Sequence, residues 1–200
     1  MKGQLFVISA PSGTGKSTLL REVRKRMTGL GYSVSHTTRK PRAGEQEGSD
    51  YYFVDKETFK RMADEGSFVE WASVYEDYYG TSFAALQGQL AAGLDVLLDL
   101  DIQGARAVKE HFSASVLIFL VPPSLEVLEA RLRNRGTDEK EAIEARLKKA
   151  KDEIAAFSRY DHVVINDELE QAVTEVQAII LSERSRTERR EPIIKELFGV

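Results

Sequence analysis

The chain has 200 residues, 42% hydrophobic and 30% charged, with 28 Lys+Arg against 32 Asp+Glu and a formal net charge of −4. That length suits one domain with a sizeable core, and the slight acidity argues against a general nucleic-acid coat, although local basic clusters can still hold phosphates. Cysteine is absent, which excludes disulfides, thiolate metal sites and cysteine nucleophiles.

The start MKGQLFVISA carries a charge and then an apolar run too short for a signal core or a membrane span. A soluble, cytoplasmic protein with no membrane or nucleic-acid partner is therefore expected. LFVIS (5–9) reads as a buried strand ending in a Pro-Ser-Gly turn. From Lys16 onward Leu19, Leu20, Val23 and Met27 recur at helical spacing until about Gly29. SVSH (33–36) reads as a short strand and the breaker-rich stretch 37–50 as a loop. YYFV (51–54) and SFVEWASVY (67–75) are strand candidates around the helix KETFKRMADE. DVLLDLD (95–101), SVLIFLV (115–121) and HVVIN (162–166) follow as strands separated by helices. Thr137 is a candidate cap for a helix running to about Phe157, and LEQAVTEVQAIILSER forms the last long helix. Strands alternating with helices predict an α/β fold with a largely parallel sheet. The stretch 36–87 breaks that rhythm and reads as an inserted subdomain.

ISAPSGTGKSTLL (8–20) joins the first strand to the first helix. It follows the phosphate-loop pattern G-x-x-x-x-G-K-[ST], except that Ala10 stands at the first glycine. The substitution adds one methyl where the strand leaves the sheet. Gly13 and Gly15 allow successive backbone N–H groups to face an anion at the helix N-terminus. Lys16 would reach the β- and γ-phosphates and the Ser17 hydroxyl would ligate Mg²⁺. The candidate triphosphate site is thus Ala10, Pro11, Ser12, Gly13, Thr14, Gly15, Lys16, Ser17 and Thr18.

Five further segments stand in a fixed order: SVSHTTRKPRAGEQEGSDYYF (33–53), EDYYGTS (76–82), LDLDIQGA (98–105), RLRNRGTDE (131–139) and VVIND (163–167). Together with the phosphate loop they resemble the guanylate kinase family, from Gln4 to about Glu183. The resemblance implies a nucleoside-monophosphate-kinase-like parallel sheet flanked by helices, in which ATP phosphorylates GMP, and dGMP as well. It implies a core of about 1–35, 88–130 and 157–185, a GMP-binding subdomain of about 36–87, a helical lid of about 131–156 and a tail of about 186–200.

By the same resemblance Ser35, Arg39, Arg42, Glu45, Tyr51, Glu70, Tyr79, Thr81 and Asp101 bind GMP. Two arginines on a constrained loop can clamp a phosphate with forked donors, with phenols donating beside them. Guanine's N1 and N2 donors suit the carboxylates of Glu70 and Asp101, and its O6 suits the hydroxyls of Ser35 and Thr81. Glu45 is expected to orient Arg42. Asp99 is implied to face the water shell of Mg²⁺, Arg135 and Arg146 to close over the ATP phosphates, and Asn166 to lie near the adenine. Lys16, Arg39, Arg42, Arg135 and Arg146 form the expected catalytic set. Arg131 and Arg133 carry weaker expectations. His36, His111 and His162 show no ligand spacing.

A non-catalytic binding module related to this family would lose the loop lysine and lid arginines, which all stand here. A switch GTPase would carry Asn-Lys-x-Asp, which is absent. The tail RSRTERREPIIKELFGV reads as a solvated helix or a surface for the core or another subunit, and a homo-oligomer stays open.

Overall fold

The computed structural model describes residues 2–200 apart from 43, 49, 75 and 135–139. Arg135 and Thr137, expected in the lid and as a helix cap, lie outside the described residues. In chain order the elements are β1 (Leu5–Ser9), α1 (Lys16–Arg26), β2 (Leu30–Tyr32), β3 (Ser35–Thr37), β4 (Tyr51–Phe53) and α2 (Lys56–Asp64). There follow β5 (Phe68–Val74), β6 (Asp77–Ser82), α3 (Phe83–Ala91), β7 (Asp95–Asp99), α4 (Ile102–His111) and β8 (Val116–Val121). The chain ends with α5 (Leu125–Asn134), α6 (Lys140–Ile154), β9 (His162–Ile165), α7 (Leu169–Arg184) and α8 (Thr187–Phe198).

The main sheet runs β2-β7-β1-β8-β9 with every pairing parallel. Such a sheet needs both faces covered, and central β1 is buried at all five positions. Its two-residue period sends Phe6 and Ile8 against α1 (Leu19, Val23) and α7 (Val173, Val176, Ile180). Leu5 and Val7 face the other way, against Leu86 and Leu90 of α3 and Ala105 and Val108 of α4. The expected α/β sheet flanked by helices is therefore the observed one.

SVSH does not form one strand. Tyr32 is the last residue to pair with the main sheet, at Leu97, and Ser35 is the first to pair in a second sheet, at Tyr51. Buried Val34 lies between the two. The second sheet runs β4-β3-β6-β5, and β5 and β6 form an antiparallel hairpin. Helix α2 packs on it through aromatic rings: Phe59 of α2 stacks on Phe68 at 4.5 Å and on Tyr78 at 5.5 Å. Gly80 makes that approach feasible, because a Cβ there would come within 3.0 Å of Phe68 and Trp71. The expected strand 95–101 stops at Asp99, since Asp101 caps α4 by accepting the Gly104 N–H at 2.8 Å.

The tail forms α8, a solvated helix with no buried residue, tied to the core near its start by Arg189. Buried Asp95, at the start of β7, accepts from Gln4 N, from Arg184 Nε of α7 at 2.6 Å and from Arg189 Nη2 of α8 at 3.0 Å. Removing one partner of a buried ion network strands the remaining charges. Asp95→Ala is therefore expected to cost about 3–5 kcal/mol in urea unfolding. Turnover should be retained wherever the variant is folded, because Asp95 stands at the strand end opposite the phosphate loop.

Candidate active site

In open α/β sheets ligands bind beyond the carboxyl ends of the strands. Here those ends carry Tyr32, Asp99, Ser9, Val121 and Ile165, in sheet order. The phosphate loop follows β1 and delivers the chain into α1, whose first residue is Lys16. Gly13 and Gly15 hold φ of 92° and 98°, a region that disfavours side chains. Space forbids them as well: a Cβ at Gly15 would sit 2.8 Å from Asn166 Nδ2, and one at Gly13 2.7 Å from Leu132. The Ala10 methyl packs against the core under the sheet, so the departure from the glycine pattern fills space there and leaves the loop intact.

The loop is braced from behind. Asn166 is buried and donates its amide to Thr14 O at 2.7 Å. Arg131 Nη1 donates to Asn166 O at 2.8 Å and its Nη2 to Asp167 O at 3.1 Å. Asn166 thus meets the loop through Thr14, and Arg131 fastens α5 to both segments. Arg133 instead pairs with Glu129 along α5. Arg146 lies on α6.

Lys16 Nζ stands 2.5 Å from Asp99 Oδ1 and donates to Leu100 O at 3.1 Å. The cavity over the loop, about 350 Å³, is walled by residues 10–18, Asp101, Lys149 and Glu153. A neighbouring cavity of about 630 Å³ lies between the two sheets and includes Ser35, Tyr51, Glu70, Tyr79, Asp99 and Asp101 in its lining. Asp101 borders both.

In the larger cavity the β5–β6 register sets Glu70 opposite Thr81, whose hydroxyl donates to Glu70 Oε1 at 2.8 Å. Ser35 Oγ is 3.5 Å from Thr81 Oγ1. Burial raises the Glu70 carboxyl above its ordinary pKa, Thr81's hydrogen bond opposes this, and the nearby Asp101 charge adds to the rise. Tyr51 and Tyr79 meet edge to face, with burial raising the Tyr51 phenol.

Arg39 Nε donates to Tyr79 Oη at 3.2 Å and its Nη2 to Glu45 at 2.8 Å, with the guanidinium 5.5 Å over the Tyr51 ring. Glu45 also accepts the Arg42 backbone N–H at 2.7 Å. Glu45 therefore orients the Arg39 side chain and fixes Arg42 only through its backbone. The Arg39 hydrogen bond is the main cause of a lowered Glu45 carboxyl pKa. The Arg42 side chain is exposed.

Among the described residues no cluster of three or more His, Cys, Asp or Glu could hold a metal alone. The Ser17 hydroxyl and Asp99 carboxylate are a partial set of hard oxygen donors. That suits Mg²⁺, which keeps several waters and takes further ligands from substrate phosphates.

Sequence reasoning did not single out Lys149, Glu153 or the bracing role of Arg131. The Arg131–Thr14 contact spans 117 positions, a distance no local pattern reports. The i,i+4 spacing of Lys149 and Glu153 was visible, but not the face of α6 that meets the loop.

The family model described as guanylate kinase matches residues 2–183. A curated guanylate kinase of Chromohalobacter salexigens is 48% identical over 94% of this chain and 87% of its own length. One from Geobacter sulfurreducens is 45% identical over 100% of this chain and 98% of its own. The crystal structure of guanylate kinase from Anaplasma phagocytophilum superposes with a TM-score of 0.71 at 34% identity, covering 100% of this chain and 97% of that one. A phosphate loop beside a carboxylate-lined cavity, in a fold and sequence shared along the whole chain with these enzymes, has one reading: the chain belongs to the guanylate kinase family.

Proposed function

We propose that the two adjoining cavities seat ATP and GMP, with their phosphates meeting beside Lys16 and Asp99. The reaction is that of the family, transfer of the γ-phosphoryl group of ATP to GMP to give ADP and GDP. The observation that carries the placement is the shared wall: Asp101 borders the phosphate-loop cavity and the carboxylate-lined one alike.

A phosphate oxygen of GMP attacks the γ-phosphorus in line as the bond to the ADP oxygen breaks. The acceptor is already anionic, so the protein's work is positioning and charge neutralisation. Loop N–H groups and the N-terminus of α1 hold the donor phosphates. Lys16 leaves Asp99 for the β- and γ-oxygens. Arg39, aligned by Glu45 and Tyr79, and Arg42 hold the acceptor phosphate. Arg146 and Arg135 close from the lid, 131–156, and exclude water. The Ser17 hydroxyl, with Asp99 acting through water, would hold Mg²⁺, which would supply further charge neutralisation at the phosphates.

Residues 36–87 serve as the GMP-binding subdomain. Glu70 and Asp101 accept from guanine N1 and N2, and Ser35 donates to O6. Thr81 acts with them while donating to Glu70. Adenine would turn an N1 lone pair toward a carboxylate. dGMP is a further acceptor, and the setting is purine nucleotide metabolism in the cytoplasm.

ADP formation from Mg-ATP with GMP, AMP, CMP and UMP as separate acceptors tests this. GMP should lead AMP by a factor of about 10⁴ in kcat/KM, because a site built for hydrogen bonds rejects an analogue that leaves them unpaired. Comparable rates with AMP would remove the base-reading roles. Folded protein that binds GMP and transfers nothing would be a binding module.

A further inference from the structure

We propose that Lys149, on the lid helix α6, is a further phosphate-binding residue for ATP, and that Glu153 is its counter-ion when no nucleotide is bound. The proposal deepens the reading above and rests on ATP occupying the loop cavity. Besides the loop and Asp101, the described wall of that cavity consists of Lys149 and Glu153.

Packing fixes how α6 meets the loop. Ile143, Leu147 and Ala150 of α6 pack on Leu128 and Leu132 of α5. Those same leucines press on the loop at Gly13, where a Cβ would meet Leu132 at 2.7 Å and Leu128 at 3.1 Å. With that stripe seated, positions 146, 149 and 153, three and seven residues apart, share the adjoining face. Lys149 is thus delivered to the cavity on the face that also carries Arg146.

The pair is built to part. Lys149 Nζ stands 3.7 Å from Glu153 Oε1, and the lysine side chain is 77% exposed against 23% for the glutamate. An exposed lysine gives up such a contact at little cost. Its compact charge on a flexible stem can follow a phosphate through lid closure. Polyphosphate offers several negative charges in the same space, so it outcompetes one carboxylate. Glu153 cannot follow and stays as an anion facing an anion. Burial raises its carboxyl pKa, while Lys149 acts in the opposite direction. The two residues should therefore affect nucleotide affinity with opposite signs, which a purely structural ion pair would not do.

The test is calorimetric binding of ADP, ATP and GMP to the full chain at fixed salt. The proteins compared are the unaltered one, Lys149→Met, Lys149→Arg and Glu153→Gln, each checked by thermal melting. Lys149→Met should weaken ADP and ATP about 3–10-fold with GMP unchanged, Lys149→Arg should recover most of the loss, and Glu153→Gln should tighten both. Unchanged nucleotide affinity in Lys149→Met overturns the proposal. So does a Glu153→Gln variant that weakens nucleotide as Lys149→Met does, which would make the pair a helix staple. Unaltered protein that binds ADP without phosphorylating GMP would defeat the assigned reaction, while the variants would still decide the role of Lys149. Unaltered protein that binds neither ADP nor ATP defeats both.

Discussion

Lys16→Met is expected to lower kcat for phosphoryl transfer to GMP by about 10³-fold, the scale seen when one preorganised donor to transition-state charge is removed. Lys16 stands where the two cavities meet, its Nζ 2.5 Å from Asp99 and 3.1 Å from Leu100 O. Charge on the transferring group is spread over its oxygens in the transition state, so an ammonium held there stabilises that state more than bound ATP. A factor of 10³ corresponds to about 4 kcal/mol. Methionine keeps the length of the stem. Asp99, left without its partner, is 25% exposed and within reach of water. The melting temperature should therefore move little, and KM for ATP should change less than kcat. Turnover within tenfold of the unaltered protein would remove Lys16 from the chemistry.

The parts of this site that were legible in the sequence are those built from neighbours in the chain. Strand, glycine turn and helix are consecutive from Leu5 to Arg26, so periodicity and the Gly-Lys-Ser ending suffice to place Lys16 and Ser17. Asp99 and Asp101 were legible as strand-end carboxylates, although the capping hydrogen bond that ends β7 before Asp101 was not anticipated. Contacts set by register or by packing between distant segments were not legible. Glu70 meets Thr81 because β5 shifts register between Phe68 and Glu70, and nothing in the alternation of β5 signals that shift. Glu45 lies six residues from Arg39 and three from Arg42 in a loop without periodicity. Arg42 was the expected partner, and the fold of the loop gave Glu45 the Arg39 side chain. Ser33 and Val34 read as part of one strand because each flank has β character, yet the flanks pair in different sheets.

Glu70→Gln is expected to raise KM for GMP roughly 10–150-fold with little change in KM for ATP, the value of one hydrogen bond to a charged group. Glutamine Oε1 can still accept from Thr81, so the hairpin keeps its hydrogen bond and the loss falls on guanine. The same carboxylate makes the fold and the function pull against each other. Its pKa is raised in the folded protein, chiefly by burial. Its contribution to stability is then fully present below the unfolded value, near 4.5, and lost as pH rises through the raised folded value. Wherever it is ionised, Glu70 opposes the ligand-free fold. Glu70→Gln should consequently melt higher than the unaltered protein at pH 7, with the difference vanishing at pH values below 4.5. Affinity for GMP should run the other way, falling as acid protonates the acceptor for guanine N1. The phosphate of GMP also titrates, with a second pKa of about 6, but it does so for both proteins. The ratio of their KM values for GMP therefore isolates Glu70: it should shrink as pH falls through the raised carboxyl pKa. A ratio independent of pH would mean that the Glu70 charge does not read the base.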